Sequence, residues 1–275
     1  MAKINGNFIA LHEPPGKRGW PLPEYHNAFE FGRGLLVSGC FTGGTGKSSD
    51  SYNLCSREEL ERRLSEAGAL GELFFVESNS AHHISMFIAK CAYEEFNMEA
   101  ETPISKFLII NFDQHEDYGS EDSELFCGNW GAHVSKELQC DYLIIGRKEK
   151  KDAVYYPYGG SKTIYSLEKD FDIFDELCSR YDKIYVTVDM DVLNSYPFFE
   201  RDVAKRTNWS HGDKGIGFIE ALISRIPSDK IIAADITGFP PKPKEDKTEE
   251  ADVYLLDIIR IANILDTTMG RPFYV

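Results

Sequence analysis

The chain has no apolar run of membrane-spanning length, no basic stretch leading into a short apolar one near its start, and no low-complexity tract or internal repeat. A membrane-spanning protein, a cleaved leader and a solenoid are therefore not expected, and the chain is expected to be used whole in the cytoplasm. An excess of positive charge is also missing. The formal net charge of −15 argues against contact with a nucleic-acid backbone and favours cationic partners. Cysteines at 40, 55, 91, 127, 140 and 178 form no C-x-x-C pair, so neither a disulfide framework nor a zinc-finger site is expected. A phosphate-binding loop is absent too. The segment GCFTGGTGKSS over 39–49 ends like one, but Phe41 stands where the first glycine is needed and no clear helix pattern opens after Ser48.

What is present is a regular alternation of short apolar runs with helical patterns. Strands are predicted near 34–39, 71–77, 106–113, 141–147, 162–167, 183–189 and 230–236, and helices near 56–67, 81–96, 170–181, 215–226 and 250–265. Ser56 with Glu59 three residues later forms a capping box at the start of the first helix. Such alternation implies a three-layer α/β/α fold with a mostly parallel sheet, and 275 residues suit one domain over 1–275. Three segments, 9–25, 195–214 and 239–250, are rich in proline or aromatics and are expected as loops that tune specificity.

Two of the apolar runs end in acidic blocks, Asp113-Gln114-His115-Glu116-Asp117 and Asp189-Met190-Asp191. Residues two apart on a strand point to one face, so Asp113 and His115 project together, as do Asp189 and Asp191. Four carboxylates gathered at one sheet end repel one another unless cations lie between them, and the mixed oxygen and nitrogen donors suit Mn, Zn or non-haem Fe. A third block, Ser80-Ala81-His82-His83-Ile84-Ser85, offers one more imidazole, from His82 or His83.

In order and spacing these three blocks resemble the arginase/agmatinase (ureohydrolase) superfamily, over roughly residues 70–240. The stretch FFVESNSAHHISMF around the histidine pair is most similar to the peptide arginases, which convert arginine residues of a precursor peptide to ornithine. The resemblance implies an arginase/deacetylase-like fold and a centre of two Mn²⁺ ions, with Fe²⁺ or Co²⁺ as substitutes. His82, Asp113, Asp117 and Asp189 would hold one ion and Asp113, His115, Asp189 and Asp191 the other. It further implies that Asp117 relays a proton to the leaving nitrogen, that His133 exchanges protons with solvent, and that Asn129 touches substrate. Two departures stand out. The family's Asp before the first histidine is Ala81, and the Glu that grips free arginine in an Asp-Leu-Val-Glu motif is replaced by Gly238 in Asp235-Ile236-Thr237-Gly238. Asp235, Glu249 and Glu250 are then the candidate acids for the substrate guanidinium. The implied activity is hydrolysis of arginine residues in a peptide to ornithine and urea; a deacetylase-like amidohydrolase or a metal-dependent peptide-binding protein are the alternatives. Neither nucleic acid nor membrane is expected as a partner.

Overall fold

The computed structural model describes residues 4–10, 29–36, 57–76, 82–147, 153–167, 170–194, 214–238 and 248–270. The glycine-rich segment 39–49 and nearly all of the three expected loops lie outside these residues.

Nine strands form one sheet: β1 (Ile4–Ala10), β2 (Phe29–Leu36), β3 (Leu73–Val76), β4 (Phe107–Phe112), β5 (Asp141–Ile145), β6 (Ala153–Tyr156), β7 (Thr163–Tyr165), β8 (Lys183–Asp189) and β9 (Ile231–Thr237). Their spatial order is β2-β1-β3-β9-β8-β4-β5-β6-β7. Every pairing from β2 to β5 is parallel, while β6 and β7 extend one edge antiparallel. Helices α1 (Arg57–Ala67), α2 (Ile84–Glu99) and α3 (Trp130–Leu138) cover one face; α4 (Phe171–Ser179), α5 (Ile216–Ile223) and α6 (Thr248–Thr268) cover the other. This is the expected three-layer arrangement with a mostly parallel sheet. No helix among the described residues is long and apolar enough to cross a membrane.

Burial on both faces explains the unbroken apolar character of the central strands. All of Phe107–Phe112 and Ile231–Thr237 is buried, and so is β8 beyond its first residue. The two faces nevertheless differ in chemistry. Towards α4–α6 the strands present Leu108, Ile110, Phe112, Ile184, Val186 and Val188, all apolar. Towards α1–α3 the same strands alternate to Ile109 and Tyr185 and then, nearer their carboxyl ends, to the buried polar residues Asn111, Thr187 and Asp235.

Three elements escaped the sequence patterns. Strand β1, INGNFIA, carries asparagine and glycine where strand formers are usual, and β6 is only four residues long at an antiparallel extension. Helix α3 contains Gly131 and is closed by Gln139 in the left-handed region, φ 52°. Its glycine has a packing reason, since a Cβ there would meet the Tyr142 ring at 2.7 Å and the Asp117 carbonyl at 2.9 Å.

Gly146, directly after β5, joins the sheet to the first acidic block. Its φ is 113°, and a Cβ would lie 2.3 Å from Val192 Cγ2 and 3.1 Å from the Asp113 carbonyl. Gly146→Ala is therefore expected to destabilise the protein by at least about 1–3 kcal/mol from the backbone alone. Urea unfolding measures this, and an unchanged midpoint and slope would refute the account.

Candidate metal centre

Strand register brings the acidic blocks together. Phe112 pairs with Val188 on adjacent parallel strands, so Asp113, one residue past β4, is level with Asp189 at the end of β8. Beyond them the chain turns instead of continuing as strand. The Asp113 carboxylate accepts from the His115 backbone N–H at 2.7 Å, and Asp189 accepts from the Asp191 N–H at 3.0 Å as it caps a 3₁₀ turn over Met190–Val192. Each carboxylate thus folds its own downstream ligand back towards the cluster. Ligands at the carboxyl ends of parallel strands are where open α/β sheets place binding sites.

His82 arrives from the other direction, one residue before the N-cap of α2, and is fully buried. Its Nδ1 lies 3.0 Å from Asp117 Oδ2, 3.2 Å from Asp113 Oδ2 and 3.4 Å from Asp189 Oδ2. Yet it makes a well-formed hydrogen bond with none of them. One imidazole nitrogen and three carboxylate oxygens facing a common point is the geometry of cation ligands. On the other side, His115 Nδ1 is 3.0 Å from Asp191 Oδ2 and 3.4 Å from Asp113 Oδ1. Two groups of potential ligands result, His82/Asp113/Asp189 and Asp113/His115/Asp191, with the donor atoms of each within 4.8 Å of one another and Asp113 common to both. Asp117 stands against the first. The donor set of carboxylates and imidazoles, with one buried nitrogen lacking a partner, fits a pair of divalent ions.

Electrostatics point the same way. Burial, reinforced by neighbouring carboxylates, raises the carboxyls of Asp189 and Asp191, and it pushes Asp117 up to about 7. Asp113 is also opposed by burial, but the neighbouring imidazoles of His115 and His82 hold it low. His115, despite burial, is pushed up to about 12 by Asp113 and Asp191. Without cations the cluster must therefore hold protons to disperse its charge, and divalent ions can take their place.

A second layer of side chains fixes the ligands. Thr187 Oγ1 lies 2.9 Å from His82 Nε2 and donates to Asp235 Oδ1 at 2.9 Å. Because Thr187 spends its own proton on Asp235, His82 must donate through Nε2, which leaves Nδ1 as the unprotonated ligand atom. Asp235 is further held by Tyr185 Oη and, at 3.0 Å, by Thr237 Oγ1. The β8–β9 register pairs Thr187 directly with Asp235. Trp130 Nε1 donates to Asp117 Oδ2 at 2.9 Å, Gln114 Nε2 to Asp191 Oδ2 at 3.1 Å, and Asn111 Nδ2 to Asp113 Oδ2 at 3.3 Å.

A cavity of about 370 Å³ opens over the cluster, lined by His115, Glu116, Asp117, Asp189 and Asp191 and walled by Tyr118, Phe126 and Cys127 with Gly119 and Gly128. Burial pushes the Cys127 thiol up to about 11, so it stays neutral.

The structure gathers His82, Asp113, His115, Asp117, Asp189 and Asp191, and of the histidine pair it is His82 that faces the carboxylates. Other expected residues are placed differently. Asp235 is not at the cavity but behind His82, fully buried, because its carboxylate is taken up by three hydroxyls. Asn129 is also fully buried, and its amide clasps the loop above the cavity, donating to the Ser120 and Glu124 carbonyls and accepting from the Phe126 N–H. His133 joins that clasp, with Nε2 3.1 Å from the Ser123 carbonyl, and is not among the residues lining the cavity. Glu249 and Glu250 lie in the first turn of α6, and their side chains fall outside the described ones. Thr187, Asn111, Gln114 and Trp130 were missed. A sequence signal existed for the first two: each is a polar residue in an apolar strand, two positions before a ligand and so on its face.

Thr187→Val keeps the shape but removes the link between His82 and Asp235. Metal binding is expected to weaken by about 10–100-fold. Calorimetric titration of metal-stripped protein checks it, and wild-type affinity in the variant would exclude the relay.

No family model matches the chain. It is 26% identical over 189 residues to an uncharacterized protein of Thermotoga maritima, a match that spans 67% of this chain and 65% of that protein. Among solved structures, an arginase from Bacillus caldovelox superposes with a TM-score of 0.52 at 12% identity, over 95% of this chain and 98% of that one. A hypothetical agmatinase from Burkholderia thailandensis gives 0.55 at 12% identity, covering 98% and 87%. The formimidoylglutamase of Bacillus subtilis gives 0.51 at 13%, covering 98% and 89%. The strand order and layers described above are thus those of the arginase-like α/β fold.

Proposed function

We propose that the protein is a hydrolase with two divalent metal ions that cleaves the guanidino group of arginine residues in a peptide, giving ornithine and urea. The observation that carries this reading is the pair of ligand groups sharing Asp113, with His82 Nδ1 buried and aimed at three carboxylates. The folds it resembles include enzymes named for arginine and for formimidoylglutamate, and a proclavaminate amidino hydrolase of Streptomyces clavuligerus (TM-score 0.52, 16% identity, 77% of this chain and 70% of that one). Their substrates share a carbon bonded to two or three nitrogens. Two ion positions favour this chemistry over a deacetylase-like amidohydrolase with a single zinc. Mn²⁺ is the ion we assign, with Fe²⁺ or Co²⁺ able to replace it.

A guanidinium is delocalised and a poor electrophile, so its hydrolysis needs a strong nucleophile at neutral pH. Bound divalent ions would supply it by lowering the pKa of a water molecule. The residues of the chain do the rest. Asp113, buried below the cavity, and Asp189 and Asp191, which line it, would hold the positive charge, and His82 and His115 would complete the two groups. Asp117 lines the cavity beside His82, with Oδ2 fixed by Trp130, and is placed to take a proton from the attacking water and return it to the leaving nitrogen. Solvent exchange is not assigned to His133, because its Nε2 is engaged by the Ser123 carbonyl.

Gly238 bears on substrate size. Its φ of 97° is a conformation that side-chain-bearing residues rarely adopt, so the missing Glu is built into the backbone at the end of β9. Affinity for a guanidino substrate must come from elsewhere, and the peptide flanking the arginine can supply it. The chain's net charge of −15 favours a basic peptide.

Asp113→Ala should lose bound metal and all activity, since this carboxylate belongs to both groups; elemental analysis showing wild-type metal content would sink the assignment. Arginine-containing peptides incubated with the Mn²⁺-loaded enzyme should lose CH₂N₂ per converted residue by mass spectrometry, while free arginine is a poor substrate. Equal catalytic efficiency on free arginine and on a peptide would overturn the peptide assignment. Acetate release from an acetylated amine, without urea from any guanidine, would instead favour the amidohydrolase.

A further inference from the structure

Glu116 separates two ligands, His115 and Asp117, and itself lines the cavity. It is not part of either ligand group. Its carboxylate is 2.7 Å from Arg147 Nη2 and 3.9 Å from Lys162 Nζ. Lys162 is half exposed, but the Arg147 side chain is only 12% exposed, so Arg147 is the partner held in one place. It follows Gly146, whose lack of a Cβ lets the end of β5 press against Val192 and the Asp113 carbonyl. The Asp113 N–H donates to the Ile145 carbonyl at 2.9 Å. The end of β5 is therefore joined to the ligand turn twice, through the backbone at Asp113 and through the guanidinium at Glu116.

The turn is held on both sides of Asp117. Asp117 has φ 45°, in the left-handed region that residues other than glycine, asparagine and aspartate seldom occupy. Its carbonyl is anchored by the Gly131 N–H at 2.9 Å and its carboxylate by Trp130. Glu116 is the anchor on the preceding side. A peptide turn clamped at 113, 116 and 117 presents His115 and Asp117 in one geometry even with His115 42% exposed at its side chain.

We propose that Arg147 is a positioning residue for the metal centre: through Glu116 it holds the turn that carries His115 and Asp117, and so sets how tightly the ions are bound. This rests on the metal reading above. Two effects of the guanidinium oppose each other. Its charge repels cations, so charge alone predicts tighter metal binding once it is removed. Its hold on the turn predicts the reverse. Seen from the ligands, Arg147 and Glu116 form a nearly neutral pair, so the hold dominates.

Metal-stripped wild type, Arg147→Met, Arg147→Lys, Glu116→Ala and the double variant Arg147→Met/Glu116→Ala are each titrated with Mn²⁺ by calorimetry, and their folding is checked by circular dichroism. Arg147→Met and Glu116→Ala should each weaken binding by about 10–100-fold, as loss of a group supporting metal ligands commonly does. The double variant should be no weaker than the worse single one, because both break the same link. Arg147→Lys should recover part of the affinity, and it remains informative if Arg147→Met does not fold. Electron paramagnetic resonance at two Mn²⁺ per chain should show coupled ions in wild type and a larger uncoupled share in the variants. Wild-type affinity and a wild-type spectrum in Arg147→Met and Glu116→Ala, or tighter binding in either, would refute the positioning role alone. Failure of the wild type to bind Mn²⁺ would instead overturn the metal reading and this inference with it.

Discussion

Four carboxylates, from Asp113, Asp117, Asp189 and Asp191, are buried within reach of one another, and their mutual repulsion is the constraint around which the rest of the site is built. Unpaired charges in such a place are costly enough that the groups would take up protons unless compensated. Part of the compensation is structural: backbone N–H groups of His115 and Asp191, the indole of Trp130, and the amides of Gln114 and Asn111 each donate to one of these oxygens. The donors satisfy individual oxygens but leave the shared centre negative. Protons on the cluster or divalent cations among its oxygens would balance that charge, and the two candidate ligand groups are arranged for the latter.

The sheet divides its labour to make this tolerable. Its face under α4–α6 is apolar along the central strands and supplies cohesion. Its face under α1–α3 is apolar near the amino ends of the strands and turns polar towards the carboxyl ends, through Tyr185, Thr187 and Asp189 on β8 and Asp235 on β9. The chain from Asp235 through Thr187 to His82 is a buried polar column in which each of these contacts has a donor and an acceptor. Such a column is rigid because losing one member leaves the others unsatisfied in a low-dielectric interior. That rigidity keeps the His82 ring oriented although it lies on a different element from every other ligand.

The loop between Gly119 and Gly128 forms the cavity wall, and its shape also follows from a few contacts. The Gly119 N–H donates to the Gly128 carbonyl at 3.1 Å, closing the loop at its base, while Asn129 satisfies polar groups within it. This leaves Phe126 and Cys127 facing the cavity. An asparagine and a histidine near the site can thus serve the loop and not the substrate, and their spacing past the acidic block does not distinguish these roles.

The sequence by itself determined the layered α/β class and marked the two acidic blocks and the histidine pair as candidate ligands, because these rest on local rules: short apolar runs end at Asp113 and Asp189, and clustered carboxylates call for cations wherever they meet. It could not determine which strands adjoin. Only the tertiary pairing of β4, β8 and β9, which are far apart in the chain, put Asp113 beside Asp189 and Thr187 beside Asp235. The β8–β9 pairing turned Asp235 from a candidate substrate acid into a support for His82, while packing of the segment before α2 turned His82 and not His83 to the carboxylates and contacts within the loop took up Asn129 and His133. Strands β1 and β6 and helix α3 were hidden for a related reason: their propensities are weak, and long-range packing, as where Tyr142 fills the space above Gly131, holds them in place.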